Sequence, residues 1–218
     1  MSTGDDAGLT GDLARLHGWW QDRNPGASRE VAWIVDQQDP DESIRAVNRA
    51  IDSGATLLVL HMNGDDARSR AAIALIADLP ATAVIDQGPD TSDHQWMVEV
   101  AAVRDSLEPL RGLATPDAIA SIYAPPARAA ASALLAATAR RTPVLFDGLD
   151  AYAGALLANR DESDAQWWWL PASSSPDPAI TAAQDVMDAK PAAHLGTHGE
   201  NPLALRAVLA LLDVVDPA

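Results

Sequence analysis

The chain reads as an α/β protein, a doubly wound and mostly parallel sheet with helices on both faces. Two observations predict that class. Short β-branched and aliphatic runs recur along the chain, each followed by a turn holding Gly, Asp or Pro and then by an alanine-rich helical stretch, which is the βα rhythm. The runs are also almost entirely apolar rather than alternating, as suits strands buried on both faces of a parallel sheet. With 218 residues, 48% of them hydrophobic, the chain can bury one sizeable core, so a single domain over residues 1–218 is expected.

Leu9, Leu13, Leu16 and Trp20 fall close to helical spacing, which predicts a peripheral N-terminal helix over residues 9–20, packed on the body or on a partner. Strands are expected at 31–35, 56–61, 83–85, 144–146 and 167–170, with a short further one at 193–195. Between the first two, Asp39-Pro40-Asp41-Glu42 supplies the proline and acids of a helix first turn, and Gly54 stops that helix. Asp93 is placed to cap a helix running to Leu107, Pro126 opens one running to Arg140, and Pro202 opens the last, to about Leu212. The polar residues 159–166 form a surface loop, and Trp167-Trp168-Trp169 alternates between core and a partner or pocket surface.

Composition narrows the chemistry. The chain has no cysteine, so disulfides, thiolate metal sites and cysteine nucleophiles are excluded, and a cytoplasmic location is expected. A net charge of -16 repels phosphate backbones, which argues against nucleic-acid binding. No apolar run approaches the roughly 18 residues of a membrane span. His194 and His198 are four apart, but Gly196 and Gly199 oppose the helix that would bring them together, so neither a metal nor a cofactor is expected.

In an open parallel sheet, ligands bind where strands end and helices begin. One such loop holds Gly64, Arg68 and Ser69, where glycine permits a tight turn and the arginine faces an anion, or where a helix simply starts in solvent. A second turns at Gly88-Pro89 among three acids. A third sets Asp147 and Gly148 just past a buried strand, with Asp147 either binding a ribose hydroxyl or capping the next helix. Ser173-Ser174-Ser175 lacks a glycine-flanked elbow and reads as a polar βα loop rather than a nucleophile, with ligand binding left open. The fourth loop, 195–202, carries Gly199 and Glu200 at its tip, and that glutamate is either a general base or a helix N-terminal carboxylate held by the dipole.

Together these stretches resemble the nicotinate-nucleotide:dimethylbenzimidazole phosphoribosyltransferase family, which makes the lower nucleotide ligand of cobalamin. Residues 131–158 match best, with Arg-Arg-Thr-Pro-Val-Leu-Phe-Asp-Gly-Leu in their middle, close to the family's Pro-Val-Leu-x-Asp-Gly-Phe strand end. Residues 74–107 look like its helix, glycine loop and following helix, with Gly88, Asp93 and Val103-Arg104 in register. Ser173 to Pro178 stands at its serine-containing loop, and His198-Gly199-Glu200 falls on its Leu-Gly-Glu-Gly motif. The resemblance implies a Rossmann-like fold, a homodimer, nicotinate mononucleotide and a benzimidazole-type base as substrates, and Glu200 as the catalytic base. It implies substrate contacts at Gly64, Arg68, Ser69, Gly88, Asp147, Gly148, Ser174 and Gly199.

The chain departs from the pattern at several points. The family's Gly-Glu-Met-Gly-Ile-Gly-Asn-Thr-Thr segment is replaced by residues 62–70, Glu99 stands about where a phosphate-facing lysine is expected, and Asn201-Pro202 follows Glu200 in place of glycine. Much of the family's N-terminal helical portion has no counterpart. These departures favour an alternative reading, a non-catalytic homologue that binds a small ligand or a full-length paralogue.

Overall fold

The computed structural model describes residues 7–24, 26, 28–63, 66–89, 91–110, 125–161, 163–197 and 201–215. Four strands, β1 (Val31–Val35), β2 (Leu57–His61), β3 (Val144–Asp147) and β4 (Trp169–Pro171), form one parallel sheet in the order β1-β2-β3-β4. The helices are α1 (Ala7–Arg23), α2 (Pro40–Asp52), α3 (Asp66–Ile76), α4 (Asp93–Leu107), α5 (Pro125–Ala139), α6 (Leu149–Asp161), α7 (Pro178–Val186) and α8 (Leu203–Val215). The α/β class and the parallel sheet with helices on both faces are as the sequence predicts.

Strand order decides how the two faces are covered. Parallel crossovers are right-handed, so strands laid down in sequence order send their connecting helices to one side. That side holds the larger core, where Leu58, Leu60, Val144 and Phe146 meet apolar residues of α2, α3, α5, α6 and α7. The opposite side is closed by the first and last described helices. Leu16, Trp19 and Trp20 of α1 and Leu205, Val208 and Leu212 of α8 pack on Leu57, Val59, Leu145 and Leu170. The helix expected to be peripheral is therefore part of the core, with Trp20 fully buried.

The alanine content has a packing reason. In α5, Ala127, Ala130 and Ala133 are buried against α6, and a Cβ on Gly154 of α6 would stand 2.6 Å from the Ala127 carbonyl oxygen and from the Ala130 Cβ. Small side chains let the two helix backbones approach closely.

Several expectations need correction. Residues 83–85 are not a strand. They fall in or beside a 3-10 turn (Ala81–Val84), because β2 pairs directly with β3 and leaves no slot in the sheet, while Val84 packs into the larger core. The strand expected at 193–195 is reduced to one parallel bridge, Ser173 to Ala193, on the open edge of β4. Ser92, not Asp93, caps α4, accepting from the Gln95 N–H at 3.2 Å. The loop foreseen at 159–166 is instead the end of α6 and the start of a 3-10 turn (Ser163–Trp168). Trp167 is exposed and stacks on Arg23, while Trp169 is buried and donates to Thr138 Oγ1 at 2.9 Å.

Candidate active site

The C-terminal ends of β2 and β3 lie side by side, with His61 and Asp147 as register partners. Asp147 is followed by Gly148 at φ +100, a backbone conformation that L side chains rarely adopt. The turn needs glycine for a second reason: a Cβ there would collide with the Met62 carbonyl oxygen and lie 3.0 Å from its carbon. That carbonyl points into the first turn of α6 and accepts the Asp150 and Ala151 N–H groups at 3.2 and 3.4 Å. The N-terminus of α6, a natural anion site, is thus occupied by the protein's own backbone.

Asp147 is buried, and its Oδ2 has no hydrogen-bond partner among the described residues. Burial raises its pKa to about 6, and a hydrogen bond from the Gly148 N–H offsets part of that rise. A carboxyl group in that range gains and loses its proton near neutral pH, as acid–base chemistry requires. His61 is also buried, and desolvation lowers its pKa against the opposing pull of Asp36 and the Asp147 backbone, so the neutral imidazole is favoured. Behind the strand ends, Tyr152 of α6 donates to the Ser173 carbonyl at 3.2 Å and accepts from Gln184 Nε2 at 2.8 Å. Burial and then the Asp147 charge raise its pKa well above the ordinary value, so this phenol stays protonated.

The other predicted positions are less uniformly placed. Ser69 is fully buried, and its hydroxyl donates to Asp150, tying α3 to the first turn of α6 beneath the Gly148 turn. Arg68 is exposed on α3. Arg70 forms a bidentate pair with Asp177 at 2.9 and 2.6 Å and also donates to the Val84 carbonyl, so its charge serves the packing of α3 on α7. Gly88 lies in a turn closed by the Thr91 N–H to its carbonyl at 3.1 Å, beside the Asp86 carboxylate, which disfavours an anion there. Ser174 lines a cleft of about 290 Å³ with Gln184, Asp185, Asp188, Lys190 and His194. Gly64, Gly199 and Glu200 lie outside the described residues.

Sequence reasoning missed His61, Tyr152 and Asp150. A signal for His61 was present, since it is the one polar residue ending an otherwise aliphatic strand. Tyr152 and Asp150 sit within an apolar helix start, and nothing local distinguishes them.

This geometry, an acidic strand end at a glycine turn in a parallel sheet, coincides with a family match. The family model described as phosphoribosyltransferase matches residues 41–212, and the chain belongs to that family. The relatives narrow the type. A Corynebacterium efficiens protein named nicotinate-nucleotide–dimethylbenzimidazole phosphoribosyltransferase is 34% identical over 179 residues, covering 79% of this chain and 48% of its own length. A Mycobacterium leprae protein of the same name is 32% identical over 196 residues, covering 82% and 54%. The fold matches the crystal structure of CobT from Thermus thermophilus, with TM-score 0.67 and 22% identity over 81% of this chain and 56% of that one. The chain spans about half the length of the curated relatives it matches.

Proposed function

We propose that the chain is a pentosyltransferase that moves phosphoribose from nicotinate mononucleotide to a benzimidazole-type base, in the formation of cobalamin's lower ligand. The observation that carries this reading is the family match across residues 41–212, which includes the strand end bearing Asp147 and Gly148. In this chemistry Glu200 takes the N–H proton of the base, the freed ring nitrogen attacks C1 of the ribose, and nicotinate leaves with the bonding electrons. Asp147 and Gly148 shape the strand-end pocket. Arg68, Gly64 and Gly88 contribute at the nucleotide side, Ser174 and Gly199 at its rim, and Ser69 holds the underlying helix through Asp150.

A single domain, working in the cytoplasm as a homodimer, completes the proposal. No described helix is long and apolar enough to cross a membrane. The direct test mixes the protein with nicotinate mononucleotide and dimethylbenzimidazole and looks for α-ribazole phosphate, with Glu200→Gln as control. No product at high protein concentration rejects the enzyme reading. Light scattering on the eluted protein tests the dimer.

A second reading, a non-catalytic homologue that binds a small ligand or a full-length paralogue, is favoured by one observation. Arg70 is tied to Asp177 rather than offered to a phosphate. Calorimetry that shows no binding of nicotinate mononucleotide supports it.

A further inference from the structure

Helix α8 is apolar on both sides. Ala204, Leu205, Val208 and Leu212 face the core, yet Leu203, Ala207, Ala210 and Val214 line the opposite face, where Leu203 is 60% and Val214 73% exposed. A surface helix ordinarily turns a polar face to water. The polar residues of α8 are Arg206 and Asp213, and both lean to the flank that adjoins β1. The Arg206 guanidinium lies 5.9 Å from the centre of the Trp33 ring, and Asp213 pairs with Arg29.

Beyond that flank lies a second uncovered row. Val31, Trp33 and Val35 of β1 are 38%, 39% and 41% exposed, whereas Leu57 and Val59, register partners of the first two on the same side of the sheet, are buried beneath α1 and α8. Strands of parallel sheets are ordinarily covered on both faces, so the layer over β1 lacks an element. The Arg206–Trp33 contact joins row and stripe into one patch. Contiguous apolar patches of this extent mark interaction sites.

The patch is complementary to itself. Laid antiparallel to a second α8 about a two-fold axis, the stripe sets Leu203 against the partner's Val214 and Ala207 against the partner's Ala210. Small side chains then meet at the crossing, where the backbones come closest, and large ones meet at its ends. Charge allows the same pairing. Two chains of net charge -16 repel each other, and the patch keeps its acids at the rim, with Glu30 and Asp36 beyond the two ends of β1 and Asp213 neutralised by Arg29. Area allows it too. The five large exposed side chains present on the order of 500 Å², and the alanines and the Arg206 stem bring the total toward the roughly 800 Å² that a standard interface buries on each partner. We propose that this patch is where two copies of the chain meet, with the partner's α8 closing the gap over β1. The inference rests on the homodimer reading and assigns it a surface.

The test is sedimentation velocity of the full chain over a concentration series. Wild type should sediment as a dimer. Ala210→Glu, which sets a carboxylate at the centre of the stripe, should weaken association by about a hundredfold or more. Val98→Glu places the same charge on an exposed residue of α4, away from the patch, and should leave association unchanged. Because the chain has no cysteine, introduced thiols give a second readout that does not depend on how Ala210→Glu folds. A mixture of Ala207→Cys and Ala210→Cys chains should form disulfide-linked dimers under a mild oxidant faster than either variant alone. A folded Ala210→Glu chain that dimerises as tightly as wild type, or oxidation no faster in the mixture, overturns the surface assignment and leaves the homodimer standing. Wild type that stays monomeric at high concentration overturns both.

Discussion

Replacing Gly148 by alanine tests the strand-end turn at the centre of the site. Two costs are expected. The first is backbone: a non-glycine residue held at φ +100 costs about 1–2 kcal/mol. The second is steric. The new Cβ runs into the Met62 carbonyl, so that carbonyl must retreat from the Asp150 and Ala151 N–H groups it now satisfies, at about 0.5–1.5 kcal/mol for each weakened bond. Gly54 provides the control, because it has nearly the same φ, +102, and nothing within 4 Å of its absent Cβ. Gly54→Ala should show the backbone cost alone, and Gly148→Ala should be less stable than that control by a further amount of about 1–3 kcal/mol. In a domain of this size that separates the melting midpoints by roughly 2–12 °C. Urea titration and thermal melts followed by circular dichroism measure both. Equal midpoints for the two variants would refute the claim that the turn is built around the Met62 carbonyl.

Asp147 titrates high in the folded state, so the native protein holds its proton more tightly than the unfolded chain, and stability falls as pH rises from about 4 through about 6. Asp147→Asn removes that penalty, so urea unfolding should show variant stability gaining on wild type by up to about 3 kcal/mol between pH 4 and pH 8, with a flat difference as the contrary result. Ser69→Ala should lower stability by about 1–3 kcal/mol, since it strips a donor from buried Asp150, while nicotinate mononucleotide affinity by calorimetry stays within twofold. Arg70→Ala should cost about 3–5 kcal/mol because it strands the largely buried Asp177 carboxylate. Arg104→Ala, which breaks an exposed pair with Asp105, should cost under about 0.5 kcal/mol in the same denaturation assay.

The parts of the fold legible in the sequence are those set by local chemistry. The β1 and β2 runs, the proline and Asp39 at the start of α2, and Gly54 at its end all follow from residue type and spacing. What was hidden depends on distant partners. Residues 83–85 are as aliphatic as a strand, but whether they enter the sheet is decided by β3 pairing with β2, some sixty residues later in the chain. The N-terminal helix looks amphipathic alone, yet its burial depends on α8 arriving beside it. The site divides in the same way. Asp147-Gly148 announces itself as an acid and a glycine after an apolar run, whereas Ser69 looked like a loop hydroxyl until Asp150, 81 residues away, was seen to hold it. Arg70 likewise shows no sign in sequence that Asp177 neutralises it.

The closure of the sheet's second face by α1 and α8 has a consequence for how the protein is made. A nascent chain can assemble β1 to β4 with α2 to α7 while Leu57, Val59, Leu145 and Leu170 still lack their cover from α8. Arg15 meets the carbonyls of Pro191 and Ala192, and Arg29 meets Asp213, across separations of 176, 177 and 184 residues. Contacts so remote along the chain form slowly and late. During synthesis one side of the sheet therefore stays sticky until α8 leaves the ribosome. That interval, rather than the finished fold, is when the protein is most exposed to aggregation and most dependent on chaperones.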